Sequence, residues 1–109
     1  MADHEFEALK REFLTEARDK VQEIENYLDD GRGPDRLERM TYLAHQLKGS
    51  GGSYGFQRIS TDAAQLEKAV ELLAQGSDDG RLEEKIQQFV VNIRAEIDKR
   101  QREMSGAVA

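Results

Sequence analysis

The chain has 109 residues, 38% hydrophobic and 35% charged, with one proline and no cysteine, which rules out a disulfide framework and a thiolate metal site. Sixteen basic against twenty-two acidic residues leave a net charge of −6, a poor match to nucleic acid or an anionic membrane surface. The length suits one domain over residues 1–109, no apolar run approaches the roughly 18 residues of a membrane span, and Met1 is followed by Ala-Asp-His-Glu rather than a basic, then apolar leader, so the expected location is cytoplasmic.

Four amphipathic stretches follow one another. From Glu5 to about Asp29, Phe6, Leu9, Phe13, Ala17, Val21, Ile24 and Leu28 recur every three or four residues, one face of an α-helix, with Asp3 as its N-cap. Leu14 lies just off that row and reads first as a flanking core position, with a place under a partner helix as the alternative. "DDGRGPD" breaks the chain; Gly31 suits the end of the first helix and Pro34 the first turn of the next. The second helix is expected over 34–53, with Leu37, Met40, Ala44, Leu47 and Gly51 inward and Tyr54-Gly55 as its exit. The third covers about 57–75, burying Ile59, Ala63, Leu66, Val70 and Leu73. After "GSDDG", the fourth covers about 79–103, with Leu82, Ile86, Phe89, Ile93 and Ile97 inward. With no period-two pattern and short connections, the fold class is all-α, an antiparallel up-down four-helix bundle. Its apolar faces fit inside one core, so a monomer is expected.

The stretch "AHQLKGSGGSYGF" carries the chemistry. Each glycine inside a helix costs about 1 kcal/mol relative to alanine, yet Gly49, Gly51 and Gly52 fall within four positions. His45 follows the inward Ala44 and so points sideways, sharing its side of the helix with Thr41, Lys48, Gly49 and Gly52. An imidazole of ordinary pKa near 6.5 is roughly three-quarters neutral at pH 7. Its free nitrogen is a nucleophile able to take a phosphoryl group. Lys48, one turn on, suits the charge of the transferring oxygens, and the glycines leave an in-line path for a donor.

The same residues resemble the histidine phosphotransfer (HPt) domain of multi-step phosphorelays. That family has a histidine followed by leucine, lysine and glycine, two small residues and a later glycine; these are His45, Leu47, Lys48, Gly49, Ser50, Gly51 and Gly55. "GSYGF" is also similar to the phosphorylated domain of chemotaxis histidine kinases. The resemblance implies that His45 accepts phosphate on its outer ring nitrogen, that Lys48 stabilises charge, and that Glu67 on the neighbouring helix holds the other nitrogen. It further implies docking around Thr41, Tyr42, Gln46, Gly49, Gly52 and Ser53, with Arg58 and Lys68 as further basic candidates. Implied partners are response-regulator receiver domains and a sensor histidine kinase of hybrid type; the Mg²⁺ for transfer belongs to the receiver, and this chain binds no cofactor.

No autokinase activity is expected: "KGSGG" reverses the Gly-Lys-Ser order of a P-loop, and a G-x-G-x-x-G pattern started at Gly49 ends on Tyr54. The chain reads as a phosphoryl carrier rather than a free-standing enzyme. A di-iron bundle needs Glu-x-x-His pairs, but Tyr42 and Met1 stand three residues before the two histidines. The alternatives left open are the phosphorylated domain of a chemotaxis-type kinase and a four-helix interaction module that transfers nothing.

Overall fold

Four helices account for nearly all of the chain in the computed structural model, which describes residues 2–31, 34–77 and 80–105. They are α1 (Ala2–Asp29), α2 (Pro34–Ser53), α3 (Gln57–Ala74) and α4 (Leu82–Ser105). Each packs against its neighbours in a closed square, α1 on α2, α2 on α3, α3 on α4 and α4 on α1. The result is the expected up-down bundle, about 50 Å long and 24 by 19 Å across. No helix among the described residues is long and apolar enough to cross a membrane.

The helix ends show why the connections are short. Gly55 (φ +84°) and Gly76 (φ +89°) take the left-handed conformation that side chains resist. Around Gly55, the Phe56 N–H donates to the Gly51 carbonyl at 2.8 Å and Gly55 N–H to Gly52 at 3.1 Å. Ser77 and Gly76 repeat this with the Leu72 and Leu73 carbonyls. Both are paired helix-terminating bonds that satisfy otherwise orphaned carbonyls. Tyr54-Gly55 therefore terminates α2, and Gly49, Gly51 and Gly52 lie within the helix.

Four boundaries differ from expectation, one of them the end of α4, which runs to Ser105, two residues past the expected 103. The first helix already includes Ala2, so Asp3 lies inside it and is not its N-cap. Helix α3 ends one residue early, at Ala74, with Gln75 as C-cap. Helix α4 starts at Leu82: Gly80 has φ +76°, incompatible with a helix running through it, and the expected start at Asp79 lies outside the described residues.

The core contains Phe13, Ala17, Val21, Ile24, Met40, Ala44, Leu47, Ile59, Ala63, Leu66, Val70, Ile86, Ile93 and Ile97, following the periodic rows. It is wider than single rows: Leu14, Leu43, Ala69 and Val90 are also buried, while Leu37, Leu73 and Phe89 are only partly covered. A helix touching two neighbours buries a broad stripe rather than a line. Leu14, at 0% exposure, is core and has no surface to offer a partner.

Phe6 and Leu9 depart the other way and are nearly half exposed. Helix register explains this. Arg39 on α2 pairs with Glu23 on α1; α2 ends at Ser53, fourteen residues on (53 − 39 = 14), and fourteen back from Glu23 is Leu9 (23 − 14 = 9). The first two turns of α1 thus pass the end of α2. Phe6 keeps the Tyr54 ring at 5.9 Å, which also meets Phe13 at 5.4 Å, and has the Lys10 ammonium over its face, 5.6 Å from the ring centroid.

Candidate functional site

Helices α2 and α3 form the most extensive pair in the bundle, and Gly51 and Ser60 show how. A Cβ at position 51 would lie 3.3 Å from both the Ile59 methyl and the Ser60 backbone nitrogen. Ser60 Oγ donates to the Lys48 carbonyl at 2.8 Å. One absent side chain and one interhelical hydrogen bond bring the helices together beside the residues singled out above.

His45 stands on this seam with its side chain 63% exposed. Its Nδ1 lies 2.9 Å from Glu67 Oε2 on α3. The other carboxylate oxygen of Glu67 pairs with Lys48 Nζ, also at 2.9 Å. Glu67 is only 15% exposed. Burial by itself would raise its pKa, but the hydrogen bonds from Lys48 and His45 outweigh that and hold the carboxyl below its ordinary value of 4.5. An ionised carboxylate only accepts hydrogen bonds, so the proton of a neutral His45 sits on Nδ1. Nε2 then carries the lone pair, and it has no hydrogen bond among the described residues.

Around this triad the glycines divide by what they face. Gly51 is buried against α3. A Cβ at Gly52 would touch Ser60 Oγ at 3.4 Å, and one at Gly49 would meet nothing within 4 Å. Packing explains Gly51, partly explains Gly52 and does not explain Gly49.

The remaining candidates on α2 fall on the same side of that helix. Tyr42 is half exposed and accepts a hydrogen bond from Gln46 Nε2 at 2.7 Å. Ser53 is exposed, its hydroxyl donating to the Gly49 carbonyl at 3.0 Å. Thr41 is half-buried and turns its hydroxyl back to Leu37 of its own helix at 2.9 Å. Lys68 is exposed beside Glu67. Arg58 does not join them; it lines the groove between α3 and α4 with Asp62 and Glu96, away from α2.

Three residues around the site have no signature in the sequence. Ser60 reads as an ordinary polar position of α3, and its role depends on how closely α2 approaches. Arg39 and Glu23 pair across sixteen residues, and no helical spacing rule links positions on different helices.

The model of the Hpt domain family matches residues 8–102. No curated protein and no solved structure matches the chain significantly. The family match spans all four helices and contains the exposed histidine, its carboxylate partner and the lysine, so the chain belongs to the Hpt domain family, the histidine phosphotransfer domains of phosphorelays.

Proposed function

We propose that His45 accepts a phosphoryl group from an aspartyl phosphate on a receiver domain and passes it to another receiver. The observation that carries this is the exposed His45 ring with Nδ1 engaged by Glu67, which leaves the Nε2 lone pair for attack.

In the transfer, the Nε2 lone pair forms a bond to phosphorus. The bond from phosphorus to the receiver's aspartyl oxygen breaks, and its electron pair leaves with that carboxylate. The ring becomes cationic with its proton still on Nδ1, and the Glu67 carboxylate stabilises it there. Lys48 uses one N–H donor on Glu67; its ammonium has two others for the phosphoryl oxygens. The same geometry serves the reverse step, in which a second receiver's aspartate attacks phosphorus and Nε2 leaves. Mg²⁺ for both steps is the receiver's contribution, and a sensor kinase stands upstream of the first receiver. Gly49 and Gly52 leave room for the partner's backbone, and Tyr42, Gln46 and Ser53 frame it.

The test is to mix the protein with a receiver domain charged by acetyl phosphate and Mg²⁺, and to follow base-stable, acid-labile phosphate. Label is expected on the native chain and not on His45→Gln. Label persisting in that variant refutes the site.

A further inference from the structure

Tyr42 lies one turn before His45, with half of its surface open to solvent. Exposed tyrosines are commonly free to change rotamer, but this one is held at both ends. Its hydroxyl accepts from Gln46 Nε2 at 2.7 Å, and its ring lies under the Arg39 guanidinium, 5.4 Å from Cζ to centroid. Arg39 is itself fixed: Nε and Nη2 donate to the two Glu23 carboxylate oxygens of α1 at 2.8 and 3.3 Å. Glu23 also accepts from the Tyr27 hydroxyl one turn along α1. A continuous series of contacts thus runs from α1 to the residue that follows His45.

Stability does not account for it. The Arg39 and Glu23 side chains are 47% and 34% exposed, and surface pairs of that kind contribute little. What the series does is remove freedom from an exposed aromatic before any partner arrives. Ordering side chains is part of the cost of association, and aromatic anchors carry a large share of interface energy.

We propose that Tyr42 is the anchor residue for the receiver domain that exchanges phosphate with His45, and that Arg39 and Glu23 are positioning residues acting through it. The inference rests on the phosphotransfer reading above. The partner chemistry it requires is an apolar side chain set on the Tyr42 ring.

The experiment measures initial rates of label reaching His45 over a range of concentrations of a receiver domain charged with acetyl phosphate and Mg²⁺. Native protein is compared with Tyr42→Ala, Arg39→Ala, Arg39→Lys and Glu23→Gln. In parallel, His45 is labelled with phosphoramidate, a small donor that needs no docking. Tyr42→Ala should raise KM about tenfold or more. Arg39→Ala and Glu23→Gln should raise it about two- to fivefold with kcat near native. Phosphoramidate labelling of Arg39→Ala should match native. Arg39→Lys keeps the charge but loses the planar fork and the stacking, so its KM should stay raised.

A native KM in Tyr42→Ala overturns the anchor. Full rescue by Arg39→Lys overturns the positioning role in favour of simple charge, as does a phosphoramidate defect in Arg39→Ala equal to its receiver defect. Thermal unfolding of each variant reports folding, and the near-isosteric Glu23→Gln keeps the positioning test intact if Arg39→Ala unfolds. Failure of native protein to take label from either donor is a different result: it removes the phosphotransfer reading, and the anchor falls with it.

Discussion

Replacing Gly49 by alanine separates access from folding. Gly49 lies inside α2, four residues before its last residue, and an added Cβ would find nothing within 4 Å. The folded state therefore accepts the methyl group without strain. The variant should gain the helix-propensity difference, about 0.8–1 kcal/mol, which raises Tm by about 4 °C in a domain near this size. Transfer should move the other way. On the proposed transfer, the methyl projects into the path of a partner's backbone toward His45, and misplacing a reacting atom by about 1 Å costs on the order of a hundredfold, so partial obstruction should slow transfer by about tenfold. Thermal unfolding by circular dichroism and label transfer from a charged receiver, on the same samples, check both. A stabilised variant that transfers at the native rate refutes access as the reason for Gly49. A destabilised one shows that the position is packed after all. Gly51→Ala is the control of opposite sign: its Cβ would press on the Ser60 backbone and Ile59, and overpacking of that kind costs about 1–3 kcal/mol.

Leu14→Ala should destabilise by about 2–5 kcal/mol, read as a lower urea midpoint, because Leu14 is wholly buried; folded variant should keep the native KM for a receiver, and a raised KM would return Leu14 to the docking surface. Lys48→Ala should slow transfer at unchanged receiver KM, and equal rates would remove Lys48 from the chemistry. Glu67 predicts a pH dependence. Its folded-state pKa lies below 4.5, so its ionised form adds stability that is fully present above that value and is lost as pH falls through the folded pKa. Glu67→Gln should therefore flatten the loss of stability on acidification below about pH 4.5. An acid-unfolding curve of unchanged slope would mean that Glu67 gains no net stabilisation from Lys48 and His45.

How much of the site is visible in one dimension depends on the range of the interaction. His45, Lys48 and Gly49 lie within five residues on one helix, and a 100° turn per residue already places them on one side. The helix-ending role of Tyr54-Gly55 is likewise local, a matter of backbone conformation at one glycine and two hydrogen bonds. Residues 34–53 were therefore legible as α2 from end to end. The start of α4 was not: the apolar period gives no notice that Gly80 adopts positive φ, which excludes it from the helix.

The order of polar and apolar residues alone determined four helices, their inward faces and a histidine set aside from the core, because these follow from periodicity within single segments. Tertiary structure decided what depends on the axial offset and spacing between helices. It made Leu14 core and left Phe6 and Leu9 half exposed, because α1 runs past the end of α2. It gave Glu67 two partners on α2, distinguished the packed Gly51 from the open Gly49, and drew Glu23 and Arg39 toward Tyr42. Contacts between helices are set by packing of whole faces, and a shift of one turn, about 5.4 Å, would break each of them while leaving every helix intact.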